Sequence, residues 1–254
     1  MRTKELLAGV AVVLFAAVSL VAQNSPGTVA ALEFQKPKSG MAPQYEDGRK
    51  QKAAWHKQQN DPQPLLVWET LTGPDTGTYI VGRLDQHWAD FDKPPIPDQA
   101  DLAEYQKVVG GYVESLVARY YERMPKVSNP PPAGSNNKFS EIVTFHVRYG
   151  HESDFRSAIS RVYDATMKTK WPVNYEWFAL ANGGDTGIFV LVLPRANWAD
   201  FEDKPNVKPF REMIKEAFGQ AEADSIVDRI DHSVMNETSE IIQFRPDLSY
   251  LPGK

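Results

Sequence analysis

Gly73-Pro-Asp75-Thr76-Gly77 followed by Trp88-Ala-Asp-Phe91 returns later as Gly183-Gly-Asp185-Thr186-Gly187 followed by Trp198-Ala-Asp-Phe201. Every matched pair lies 110 positions apart, and residues 73–91 carry eight identities in 19 positions. Chance gives roughly one, and self-similarity at a fixed spacing marks a repeat. The same offset pairs Gly40 with Gly150, Pro62 with Pro172 and Tyr45 with Phe155. The chain therefore reads as a tandem duplication: a first unit over 29–125, a linker over 126–138 and a second unit over 139–254. The linker region contains Pro130-Pro131-Pro132-Ala133-Gly134, which continues neither a helix nor a central strand.

Periodicity gives each unit its elements. In Glu141–Tyr149, residues Val143, Phe145, Val147 and Tyr149 alternate with Thr144, His146 and Arg148, the pattern of a strand. Phe155, Ala158, Ile159, Val162 and Thr166 then follow at helical spacing. Apolar runs at 174–181 and 187–193 flank Asn182-Gly-Gly-Asp-Thr186 and read as a hairpin. Helical stretches from Phe210 and from Ala223 precede a last strand at 240–245. The order is β-α-β-β-α-β, a ferredoxin-like unit. The first unit follows with a strand at 29–36, a helix at 44–57, a hairpin over 65–84, a helix at 102–117 and a strand at 118–123. Its first helix is polar and contains Gly48. A four-stranded sheet with helices on one face leaves the other face bare, and two copies can cover each other.

Tyr149-Gly-His-Glu-Ser-Asp-Phe155 after a strand, followed by a helix and a hairpin, resembles the dimeric α/β-barrel superfamily. That group includes the antibiotic-biosynthesis-monooxygenase-like and NIPSNAP-like proteins. The resemblance implies an α+β fold in which two antiparallel sheets face each other as a pseudo-dimeric barrel around a pocket.

Composition narrows the function. The chain has 254 residues, with 28 Lys and Arg against 33 Asp and Glu, a net charge of −5. No basic excess exists for nucleic acid. The lack of cysteine excludes disulfides, thiolate metal sites and Cys nucleophiles. Arg2 and Lys4 before the apolar run 6–22 match a secretory signal over 1–22. An uncleaved anchor is the alternative, and only that would bring a membrane partner. The expected location is periplasmic or extracellular.

The Asp-Thr-Gly triplets resemble those of aspartic proteases, but Gly-rich flanks between two strands call for turns. None of the five histidines is matched by another at the repeat offset, and none shows metal-ligand spacing. His146 and Arg148, opposite the apolar face of their strand, form the expected polar contacts. Thr144, Glu176 and Tyr175 are further candidates for ligand binding. His146 is the candidate acid or base. Some heme proteins of the resembled group use a helix histidine, which makes His232 a heme candidate by resemblance alone; no cofactor and no metal are expected. The sequence thus points to an exported protein that binds a small apolar or carbonyl-bearing ligand between its sheets. The alternatives are a cofactor-independent monooxygenase or isomerase using His146, and a non-catalytic interaction module. A pseudo-dimer within one chain leaves further association open.

Overall fold

Alternating and helical burial patterns produce the expected elements. A computed structural model describes residues 26–253; the signal expected over 1–22 lies outside them. The first half contains β1 (Val29–Pro37), α1 (Ala42–Gln58), β2 (Leu66–Thr70), β3 (Tyr79–Gln86), α2 (Asp98–Val108) and β4 (Val113–Arg123). The second contains β5 (Phe139–Val147), α3 (Glu152–Thr169), β6 (Glu176–Asn182), β7 (Ile188–Arg195), α4 (Phe210–Phe218), α5 (Gln220–Ser233) and β8 (Val234–Phe244). No helix among the described residues is long and apolar enough to cross a membrane.

The eight strands close into one antiparallel barrel in the order β1-β3-β2-β8-β5-β7-β6-β4. Each half contributes a four-stranded sheet, and the sheets join edge to edge. Trp68 pairs with Phe244 at one seam and Tyr121 with Leu180 at the other. Closure removes the free edges that a four-stranded sheet would expose. Helices cover the outside. Val143, Phe145 and Val147 of β5 pack on Phe155 and Ile159 of α3 with Trp177 and Phe189, so Ile142, Thr144 and His146 face the barrel interior.

The 110-residue spacing holds from β1 and β5 through short 3-10 turns at Trp88–Asp92 and Trp198–Phe201. Beyond them it slips. Strand β4 begins at Val113 and β8 at Val234, because α5 has no counterpart in the first half. Ala223, Ile226 and Val227 of α5 pack with Val162 and Ala165 of α3 and with Met213, Ile214 and Ala217 of α4. In the first half only α2 stands in this layer, and Val108 is its one buried residue. The helix expected at 102–117 is therefore shorter and earlier, and the strand expected at 118–123 starts at Val113. Gly110 and Gly111 end the helix, since glycine weakens a helix interior, and the following apolar residues pair in the sheet instead.

Gly48 brings α1 and α2 together: a Cβ there would lie 2.0 Å from the Val108 carbonyl oxygen. Alanine normally improves a helix by about 1 kcal/mol over glycine. Here Gly48→Ala is expected to cost about 1–3 kcal/mol through overpacking, read from the urea midpoint.

The Asp-Thr-Gly triplets are turns. Gly77 and Gly187 hold φ of 81° and 77°, and the Thr78 amide donates to the Asp75 carbonyl at 2.9 Å. In the Trp-Ala-Asp-Phe segments the aspartates hold the turn: Asp90 accepts from the His87 amide at 2.7 Å and Asp200 from the Ala196 amide at 2.8 Å. Their tryptophans are half-exposed, resting on Tyr120 and Phe139.

After β8 the chain returns to the first half. Arg245 bonds Glu46 of α1 at 2.7 Å and Glu69 of β2 at 2.6 Å. Leu248 is buried among Tyr45, Val67 and Val81. Tyr250 pairs with Leu65 as a β-bridge, and its hydroxyl donates to the Asp61 carbonyl at 2.7 Å.

Candidate anion-binding site

The inward face of α1 carries the chemistry. Tyr45, Gly48, Arg49, Lys52 and His56 are its buried residues. The residues 110 positions on in α3 are Phe155, Ala158, Ile159, Val162 and Thr166, also buried. Beneath α1, Glu33 and Gln35 of β1 stand where β5 has Val143 and Phe145, and Asp61 stands where Trp171 does. One fold position thus holds an aromatic core in the second half and, in the first, a chamber with cations set among apolar side chains. The chamber has a volume of about 550 Å³. Arg49, Lys52, His56 and Arg119 line it with the carboxylates Glu33, Asp90, Asp98 and Asp101 and the apolar side chains of Phe91, Leu102, Leu116 and Tyr120. Leu116, Ala118 and Tyr120 of β4 form part of the lining.

Each buried cation has a distinct environment. Lys52 Nζ donates to the Asp101 carbonyl and to Asp101 Oδ1, both at 2.9 Å. Burial holds its pKa below the usual lysine value, against the pull of Asp101. His56 Nδ1 lies 2.8 Å from Asp61 Oδ2, which also accepts from Arg83 at 2.7 Å. The ring stacks on Tyr250, with centroids 5.7 Å apart. Its Nε2 has no hydrogen bond and lies 3.4 Å from Asp101 Oδ1. Arg49 is 2% exposed, and its guanidinium has neither a hydrogen bond nor an ion pair with any described residue; its Nε is buried and orphaned. The carboxylate nearby on β1 is tied elsewhere: Gln35 donates to Glu33 at 2.6 Å and accepts from the Tyr45 hydroxyl at 2.8 Å. A buried charge without a partner is expensive. A bound anion would satisfy it, and the planar guanidinium matches a carboxylate in two parallel bonds.

His56 gives the site a pH signature. Burial, then the nearby Lys52 charge, bring its pKa down from 6.5 to about 4. Between those values the unfolded chain binds more protons than the folded one. The contribution is therefore complete above pH 6.5 and is lost as pH falls towards 4. Denaturant titrations should show stability falling across this window by on the order of 2–3 kcal/mol. His56→Gln should flatten that slope. Asp61 adds its own loss at more acid pH: burial would raise its pKa, but the Arg83 hydrogen bond and neighbouring charges keep it below the usual value.

The residues singled out in the sequence are dispersed. His146 and Thr144 face the barrel interior, opposite Asn236 and Thr238 of β8. Arg148 lies beyond the end of β5 and is exposed, so it does not join His146 there. Glu176 also faces inward but pairs with Val192, level with Ile142 rather than His146, and binds Arg123 at 3.1 Å. Tyr175 sits on the opposite side of the sheet, in the helix-packed core, with its hydroxyl 3.0 Å from Thr166 Oγ1. His232 is exposed on α5, its Nδ1 2.9 Å from the Asp228 carbonyl. An exposed histidine bonded to its own helix does not fit an axial heme ligand, which needs an enclosing pocket. No cluster of three or more metal-ligating side chains occurs among the described residues. Arg49, Lys52 and His56 went unremarked, although the repeat could have revealed them as cations opposite Ile159, Val162 and Thr166.

Two ferredoxin-like halves closing one eight-stranded barrel, with helices outside, define the dimeric α/β-barrel fold. Solved structures share it. A candidate monooxygenase from Fusobacterium nucleatum superposes with a TM-score of 0.55 at 11% identity, covering 87% of this chain and 93% of that one. An anthrone oxidase-like protein gives 0.52 at 10%, covering 89% and 94%. Chlorite dismutase from Candidatus Nitrospira defluvii gives 0.51 at 10%, covering 89% and 94%. No protein-family profile and no curated protein matches the sequence. Likeness at this identity shows the fold, which hosts many activities.

Proposed function

We propose that this is an exported protein that binds a small organic anion, a carboxylate with an apolar body, in the chamber of its first half. Arg49 carries the reading: a buried residue whose guanidinium has no partner among the described residues, lining a cleft of about 550 Å³. The apolar wall of Phe91, Leu102 and Leu116 suits the rest of such a ligand. In this view the halves descend from one duplicated unit over 29–125 and 139–254. The second copy kept a packed core and the first opened a site.

Calorimetric titration of benzoate against its neutral isostere benzamide tests the proposal. Benzoate should bind at least tenfold more tightly, since charge-assisted hydrogen bonds are worth about 1.5–3 kcal/mol. Equal affinities, or no binding of either, would remove anion recognition from this chamber.

A further inference from the structure

We propose that His56 and Asp61 form a proton-transfer pair, and that the chamber catalyses enolisation of a 2-oxo carboxylate. The inference rests on the anion-binding reading and goes beyond it to a reaction.

Three adjacent features support it. Asp61 Oδ2, 2.8 Å from Nδ1, fixes the tautomer: a proton on Nδ1 leaves a lone pair on Nε2. That nitrogen is buried and has no hydrogen bond, and His56 is among the residues that line the chamber. Orientation of an imidazole by a buried carboxylate is how a histidine is prepared to accept a proton. His146 has no hydrogen bond among the described residues to orient it in this way.

Arg49, Lys52 and His56 lie on one face of α1, in the order that a 2-oxo acid presents its groups. Arg49 takes the carboxylate. Lys52, fixed by its two bonds to Asp101, faces the 2-oxo oxygen. His56 faces C3. In the forward step the C3–H bond breaks and the proton joins Nε2. The C–H electron pair forms the C2–C3 double bond, and the carbonyl pair moves to oxygen beside the Lys52 ammonium. The imidazolium then lies between Asp61 at 2.8 Å and Asp101 at 3.4 Å. Return of the proton to oxygen gives the enol; return to carbon restores the substrate. No oxidant, reductant or second substrate is required.

The experiment follows loss of the C3 proton signal of phenylpyruvate in D2O by NMR with the full chain. Calorimetry of benzoylformate, a 2-oxo acid without a C3 proton, runs in parallel. The chain should accelerate exchange above the buffer rate, and the rate should fall in acid as His56 takes up a proton. H56Q should lower the enzymatic rate at least a hundredfold while phenylpyruvate affinity stays within threefold. D61N should lower the rate at least tenfold and serves where H56Q does not fold. Phenylpyruvate that binds without accelerated exchange, or exchange that survives H56Q, overturns the proposal; benzoylformate binding then leaves the anion-site reading standing. Failure of benzoylformate, benzoate and phenylpyruvate alike to bind overturns both.

Discussion

Arg49→Met is expected to raise the stability of the protein while removing its affinity for carboxylates. The two effects have one origin. In the folded chain Arg49 is 2% exposed, its Nε is buried, and its guanidinium lacks a hydrogen bond or ion pair with any described residue. Folding therefore carries the desolvation of an uncompensated charge. Methionine keeps most of the apolar stem and fills irregular space without that cost. Stability should rise by about 1–3 kcal/mol, the scale of an unsatisfied buried polar group, read as a higher urea midpoint at unchanged slope. Benzoate binding should weaken on the order of a hundredfold, through loss of a paired charge-assisted contact. A residue retained for packing would lose stability on this change. A variant less stable than the parent would show that Arg49 is structurally satisfied and would sink the site.

Phe155→Ala should act in the opposite direction and by more. Phe155 is fully buried in the aromatic core of the second half. Its ring meets Phe189 at 4.9 Å, Phe145 at 5.5 Å and Trp177 at 5.7 Å between centroids. Truncation removes apolar burial and leaves a hole that three rigid rings cannot close, at a cost of about 3–5 kcal/mol. In a chain of this size the melting temperature should drop on the order of 10 °C. The equivalent Tyr45 also bonds Gln35 through its hydroxyl. Tyr45→Phe should cost less, about 1–2 kcal/mol, because only the hydrogen bond is lost. A loss below 1 kcal/mol for Phe155→Ala would mean that the second core is not packed as described.

The architecture was legible because the repeat and the strand alternation are local signals. Val143, Phe145 and Val147 announce a one-sided strand, and Trp88 with Trp198 fixes the register between the units. Helix α5 marks where that legibility ended. It sits outside the repeat, and its absence from the first half appears in sequence only as Gly110-Gly111 between two apolar stretches. The site was less visible for a related reason. A search for duplicated histidines assumes symmetric sites, whereas Arg49, Lys52 and His56 are the positions at which the halves disagree. A polar face on α1 lowers its amphipathic signal, and nothing local separates a buried cation from a solvated one. Burial beneath the C-terminal segment is a tertiary fact, and no local pattern near residue 50 contains it.

That segment also orders events in time. Leu248 completes the core around Tyr45 and Val67, Tyr250 covers His56, and Arg245 joins α1 to β2. The amino-terminal half is synthesised before the residues that seal it, which lie more than a hundred positions further along the chain. Nascent chains arrested before residue 245 would hold β1 through β4 with this layer open. Long-range closure of this kind slows folding. The first half therefore cannot complete its own core by local folding, and its closure waits on residues beyond the whole second half.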